Sequence, residues 1–320
     1  MVMDEAMNRQ LQTMRPSRRE FIRTGCGTLA ATALPGCVTT DGGAVTFGLV
    51  ADVHYADIDD AIGRHYREAE RRLADCVREM NALKPDFLIE LGDFKDLGRP
   101  AGTTLDGLKR IERTLAGFDG PRYHVLGNHD CDAITPDEFL ANVVNYGQPR
   151  AKAYYGFRFG AVTFLVLDGC YTSDLKHYSR SNPWTDANVP PEQLAWLERE
   201  LARADGPVIV FCHQRMDPSS EPHHLLKNAA EVRRILERSG KVRTVITGHQ
   251  HTGGGCVLNG ISYLTLPSVV DGEGTNAFAL AQADSSGRVA IRGWGRVTPE
   301  LIASAGLVTD ALMSAEKLLR

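Results

Sequence analysis

Five short clusters of metal-seeking side chains punctuate this chain of 320 residues. They are Asp52 and His54 in "ADVHY", Asp93 in "LGDFKD", Asn128, His129 and Asp130 in "LGNHD", His213 in "FCHQR", and His249 and His251 in "GHQH". Carboxylate and imidazole donors together suit manganese, iron or zinc, whereas magnesium and calcium prefer oxygen donors alone. Asp52, His54, Asp93, Asn128, His213, His249 and His251 are candidate ligands, too many for a single tetrahedral ion. The set suits two ions sharing a bridging carboxylate, a common device for phosphoester hydrolysis. Paired cations lower the pKa of a bridging water, orient it in line and neutralise the phosphoryl oxygens. Singly, the clusters say little. A lone Asp-x-His is more often a polar loop, and Gly-Asn-His-Asp also fits a capped turn.

Each cluster follows an apolar, β-prone run: residues 44–55, 86–93, 122–130, 207–213 and 242–249. Open α/β sheets gather functional groups outside the carboxyl ends of their strands, which is where these side chains would fall. Helical patterns separate the runs. Ile62, Tyr66, Ala69, Leu73, Cys76, Val77 and Met80 recur at helical spacing, with Pro85 as a stop. Residues 107–118 predict a second helix, Pro191 and Glu192 open a third, and a fourth ends near Gly240. Residues 153–169 predict a hairpin turning near Gly160, and the segments from Gly260 onward add antiparallel strands. Thr298 and Pro299 open a predicted helical tail over 298–320. Strands alternating with helices, then strands joined by short turns, predict a layered α/β domain with mixed sheets over 41–297. Gly92, Gly127 and Gly248 each immediately precede a ligand segment, where a positive φ or a close backbone approach would aim the next side chain.

Composition is that of a globular domain, and 36 basic against 40 acidic residues leave no broad nucleic-acid-binding face. No apolar run reaches the roughly 18 residues of a membrane-spanning helix. The first forty residues run from a basic start through a short apolar stretch to small residues, the layout of an export signal. Residues 17–23, Ser-Arg-Arg-Glu-Phe-Ile-Arg, resemble a twin-arginine signal, which implies the twin-arginine export machinery as a partner. "LPGC" resembles a lipoprotein cleavage box, which would make Cys37 a lipid anchor and place the protein in the periplasm or on a membrane facing outward. Beyond the leader, Cys76, Cys131, Cys170, Cys212 and Cys256 are irregularly spaced, so no disulfide framework is expected.

Together, Asp52-x-His54, Gly92-Asp93, Gly127-Asn128-His129-Asp130, His213 and Gly248-His249-x-His251 resemble the signature of the calcineurin-like metallophosphoesterases. The resemblance covers roughly residues 45–275 and implies a four-layer αββα sandwich with two mixed β-sheets. It implies that Asp52, His54 and His251 hold one metal, that Asn128, His213 and His249 hold the other, and that Asp93 bridges them. Hydrolysis would proceed by in-line attack of a metal-bridging hydroxide on a small phosphodiester, pyrophosphate or phosphomonoester. His129 would face the substrate, with Asp130 as the acid that orients its ring. Asp96 stands where purple acid phosphatases carry a ligand tyrosine, which excludes that branch. "ADVHYADIDD", "RHYRE", "LVLDG", "EQLAWL" and "GHQHTGG" look like the manganese-dependent ADP-ribose/CDP-alcohol diphosphatases, although that branch usually carries Gln at the position of His54. Tyr55, Arg64, His65, Tyr66, Lys95 and Arg215 are candidate substrate contacts, and His223 and His224 either cap the cleft or begin a solvated helix. The alternatives are a nucleotide or CDP-alcohol diphosphatase specifically, and a surface-anchored binding protein without catalysis. A zinc peptidase lacks its HExxH helix.

Overall fold

The computed structural model describes residues 43–150 and 152–309. The expected export signal and Cys37 lie outside the described residues. Among the described residues twelve strands and six α-helices follow one another: β1 Val45–Val50, α1 Glu68–Leu83, β2 Phe87–Glu90, α2 Thr104–Leu115, β3 Arg122–His124, α3 Pro136–Asn142, β4 Tyr155–Phe159, β5 Val162–Val166, α4 Pro191–Arg203, β6 Val208–Phe211, α5 Ala229–Ser239, β7 Val242–Thr247, β8 Gly254–Leu258, β9 Ile261–Thr265, β10 Ala277–Ala283, β11 Val289–Gly295, α6 Pro299–Ser304 and β12 Val308–Thr309. They form two six-stranded sheets, ordered β12-β11-β10-β1-β2-β3 and β4-β5-β6-β7-β9-β8. In the first sheet β1, β2 and β3 are parallel neighbours; in the second, β5, β6, β7 and β9 are. Antiparallel hairpins flank both parallel cores, so both sheets are mixed.

Alternate side chains along the strands build three apolar layers. Phe47, Leu49, Phe87, Ile89 and Tyr123 of one sheet meet Phe157, Phe164, Phe211 and Ile246 of the other in the central layer. Tyr123 stacks on Phe157 across it, with ring centroids 3.9 Å apart. Leu88 and Leu280 face outward onto Leu73 and Met80 of α1 and Leu108 and Ile111 of α2. On the far side Val208, Val210 and Val245 bury Leu194, Leu197 and Leu201 of α4 and Val232 and Leu236 of α5. This is the expected αββα sandwich, and the burial of apolar faces on both sides of each sheet is what holds the parallel strands in place.

Two local expectations need correction, and one helix is additional. The first helix begins at Glu68, not near Ile62, because Ile62 and Gly63 both have positive φ and Ala61 bridges Arg64 in a tight turn. The tail opens as a helix, with the Thr298 hydroxyl capping Leu301 N–H, but it stops after six residues. Gly306, at φ +67°, turns the chain, and Val308–Thr309 pairs with β11 as an edge strand, so residues 298–309 are not one helix. Residues 310–320 lie outside the described ones. A third helix, α3, was not anticipated, although Thr135 and Glu138 form a complete capping box at its start.

Candidate metal centre

The functional side chains lie just past the carboxyl ends of β1, β2 and β3 in one sheet and of β6 and β7 in the other. Aiming them takes unusual backbone. Asp52, His54, Asp93 and His249 all have positive φ, between 47° and 70°, a region that side-chain-bearing residues seldom enter. Hydrogen bonds over-determine the turns. His54 N–H donates to Asp93 O at 2.8 Å, and His249 N–H donates to both Asp52 carboxylate oxygens at 3.1 and 3.0 Å. The glycines contribute chiefly by closeness. A Cβ on Gly127 would lie 2.1 Å from Asp93 N, and one on Gly248 would lie 2.5 Å from Asp52 Oδ2. Gly92 adds a positive φ of 97°.

Two groups of donor atoms result. In the first, His54 Nε2 stands 3.1 Å from His251 Nε2, and Asp52 Oδ1 lies 3.8 Å from the former and 3.6 Å from the latter. In the second, His213 Nε2 lies 3.1 Å from both His249 Nδ1 and Asp93 Oδ2. Asp93 Oδ2 is also 3.5 Å from His54 Nε2, so this carboxylate stands between the groups. Asp52 with His54 and His251, and Asp93 with His213 and His249, each converge tightly enough to hold an ion.

The outward-facing ring nitrogens decide which lone pairs point inward. His54 Nδ1 donates to Asp96 Oδ2 at 3.1 Å and His251 Nδ1 to Asp271 Oδ2 at 2.7 Å. His213 Nδ1 donates to Leu91 O at 2.9 Å. A carboxylate or carbonyl oxygen only accepts, so each of these rings turns a lone pair toward its neighbours at Nε2. Two lone pairs facing each other at 3.1 Å repel unless a proton or a cation lies between them. Asn128 Oδ1, just past β3, is likewise a buried acceptor without a hydrogen-bond partner. Mixed nitrogen and oxygen donors, buried and turned toward each other, fit two transition-metal ions. Burial raises the Asp52 carboxyl and pushes His54 down to about 3, while at His213 burial is outweighed by Asp93 and Asp52, which lift it to about 10, so that a proton stands there in the place a cation would take.

The calcineurin-like phosphoesterase family profile matches residues 45–253. The chain belongs to that family. It is 30% identical over 271 residues to a manganese-dependent ADP-ribose/CDP-alcohol diphosphatase from Arabidopsis thaliana, covering 71% of this chain and 86% of the relative. A diphosphatase of the same name from Oryza sativa subsp. japonica is 30% identical over 277 residues, 73% of this chain and 86% of that one. Among solved structures, a dimetal phosphatase from Danio rerio shares the fold, with a TM-score of 0.69 at 24% identity over 79% of this chain and 96% of the other. This calcineurin-like phosphoesterase is therefore a metal-dependent phosphoric ester hydrolase with a centre for two divalent ions.

Within this phosphoesterase site Asp130 does not orient His129, as the resemblance had implied. The Asp130 carboxylate is fully buried and accepts the N–H groups of Asp93, Phe94, Lys95 and Gly127, so it holds the Asp93 loop in shape. The carboxylates beside His129 Nδ1 are Asp132 at 3.3 Å and Asp96 at 3.4 Å. The reason is local. His129–Cys131 is a 3-10 turn, in which positions three apart eclipse, so His129 and Asp132 share a face and Asp130 points back into the loop. Sequence reasoning also missed the supporting role of Asp96 and missed Asp271 altogether. Asp271 lies 20 residues beyond its imidazole partner, and no local pattern marks it.

The candidate substrate contacts divide. Lys95 is buried and paired with Asp132, and Arg215 is buried in a bidentate pair with Asp217 while also donating to Gln250 Oε1, so neither is free for a phosphate. Gln250 is thereby turned away from its flanking histidines. Tyr55 and Tyr66 are buried, and His65 pairs with Asp60. Arg64 is partly exposed and reaches Asp96 Oδ2 at 3.0 Å, within the support of His54. Pro222–His224 is a short 3-10 turn, not a helix start, and the His224 ring packs 5.2 Å from that of His249.

Proposed function

We propose that the protein hydrolyses a small phosphodiester, pyrophosphate or phosphomonoester, with manganese as its metal. The carrying observation is the inward convergence of imidazole lone pairs in two groups on either side of Asp93. Asp52, His54 and His251 would hold one ion and Asn128, His213 and His249 the other, with the Asp93 carboxylate between the two groups. Cations bound there would acidify an attacking water and neutralise charge on the phosphoryl oxygens. Asp96 and Asp271 fix the tautomers of His54 and His251, so that both rings present Nε2 inward. His129 faces the same space from beside His54, with ring centroids 4.6 Å apart. Burial opposes a charge on His129, but Asp93, Asp132 and Asp96 outweigh it and raise the ring to about 10, which favours the protonated form a general acid needs.

A narrower reading has support of its own. The two relatives described above are named as ADP-ribose/CDP-alcohol diphosphatases and are matched over most of their length, which favours the pyrophosphate bond of nucleoside diphosphate esters. A non-catalytic binding role fits less well, because every donor of the centre is kept. Manganese-loaded protein assayed on ADP-ribose, CDP-choline, bis-p-nitrophenyl phosphate and p-nitrophenyl phosphate ranks these substrate classes. Inactivity on all four sinks the proposal. Asp93→Ala is expected to lose metal and turnover together; loss of turnover with both ions retained would refute the role of Asp93. Export through the twin-arginine route, with or without lipid on Cys37, is part of the same proposal and rests on the pattern of residues 17–37. Mass spectrometry of the mature N-terminus tests it, and an unprocessed Met1 would refute it.

A further inference from the structure

Next to His249 stands a large side chain that the metal centre does not use. Trp184 is 40% exposed, and its ring lies 5.4 Å from that of His249. The rings of His223 and His224 stand 5.5 Å from the same indole, steeply inclined to it at 89° and 49°. The turn that carries it is braced by hydrogen bonds. Its tight turn is closed by Asp186 N–H donating to Pro183 O at 3.0 Å. The Asp186 carboxylate accepts from Ser173 N–H, Ser173 Oγ and Asn188 Nδ2, and Asn188 N–H donates to Gly169 O. The braced turn thus sets the indole at the edge of the second donor group with much of its surface open. A rigid, amphipathic ring with little left to order on binding is an effective platform for another flat ring.

We propose that Trp184 is the platform on which the base of a nucleotide substrate stacks, with His224 reading the base or its sugar. The proposal rests on the nucleoside diphosphate ester reading above and adds which residue recognises the nucleoside. Its position fits that role: a group resting on Trp184 is held beside His249, within reach of a phosphate at the centre. Every base has a π-face, so one indole serves adenine and cytosine alike. The second observation is polar. His224 Nδ1 makes no hydrogen bond, the Glu221 carboxylate lying 3.8 Å away, and its ring stands beside both the indole and His249. A base edge or a ribose hydroxyl satisfies such an atom. A quaternary ammonium group, which an indole face also attracts, has nothing to offer it.

Calorimetric titration of the manganese-loaded full chain with CMP, AMP, phosphocholine and inorganic phosphate tests this without turnover. Trp184→Ala is expected to weaken CMP and AMP by roughly 5- to 100-fold, the loss of one stacked base. Inorganic phosphate should bind as before, and Trp184→Phe should recover most of the nucleotide affinity. Four results overturn the proposal: nucleotide affinity indifferent to the substitution, equal losses for phosphate and nucleotides (which would make Trp184 a prop for His249), a loss confined to phosphocholine, or wild-type protein that binds phosphate but neither nucleotide. The diphosphatase reading fails separately, if nucleoside diphosphate esters are not turned over.

Discussion

Replacing Gly127 by alanine adds one methyl group and is expected to disable the centre. Gly127 does not have a positive φ, so the backbone conformation itself costs an alanine nothing. The obstruction is the neighbouring loop. The new Cβ would lie 2.1 Å from Asp93 N, 2.3 Å from Asp93 Oδ1 and 2.9 Å from Gly92 C, where real Cβ atoms keep at least 3.0 Å. Two of these three atoms are backbone, which cannot rotate aside, so the Asp93 turn must retreat by about 0.9 Å. Forcing such a shift in a packed site costs about 2 kcal/mol. In a domain of this size that corresponds to a fall in Tm of roughly 4–8 °C. Because the displaced residue is the carboxylate between the two donor groups, a shift of about 1 Å is expected to cut kcat/KM by roughly 100-fold. Thermal unfolding and initial rates at saturating manganese measure the two effects. Gly102→Ala, with no atom within 4 Å of its Cβ, is the control and should change neither. Wild-type rates and melting in Gly127→Ala would show that the loop yields freely, and that close approach is not what fixes Asp93.

Asp271→Asn keeps the shape of the side chain but weakens its hold on His251 Nδ1, so manganese affinity should fall roughly 10- to 100-fold in a chelator competition while the fold is kept. Unchanged affinity would refute the support role. Stability is expected to fall as pH rises. Burial pushes the Glu90 carboxyl up to about 8, and although burial opposes its charge, His124 is raised to about 9 by Glu112 and Glu90. Both folded-state values lie above the unfolded ones, so these contributions are complete in acid and are lost as pH climbs through about 8 to 9. Melting temperatures between pH 6 and 9 should show that slope in the wild type and a shallower one in Glu90→Gln with His124→Gln; identical slopes would refute it. Thr135→Ala removes the capping box of α3 and should cost about 1 kcal/mol in denaturant unfolding without changing turnover.

The strand ends were legible because a buried β-run that terminates in Asp, Asn or His is chemically unusual, and five of them in order point to one place. The sheets were legible through the same runs, buried on both faces. What stayed hidden was support. Asp96 and Asp271 act through imidazoles that folding brings to them, and nothing in the local pattern of either residue says which ring it will meet. Asp130 was misassigned because adjacency in sequence was taken for adjacency in space, and a single 3-10 turn separates the two. The end of the described chain misled differently. Thr298 and Pro299 do start a helix, but the glycine that stops it at 306 was given too little weight against the cap. Trp184 carries no motif at all; only the pinned turn around it gives it a direction.

Asp52, His54, Asp93 and His249 lie in the left-handed region, each at an expense on the order of 1–3 kcal/mol. The same four positions crowd unscreened donors together when no cation is present. Stability and activity therefore select in opposite directions there. A library screened for heat tolerance alone, without metal or substrate, should enrich glycine at positions 52, 54, 93 and 249 and discard the enzyme as it improves the fold. The residues such a screen removes first are those that only catalysis can have kept, so the strain is a map of the function drawn by stability.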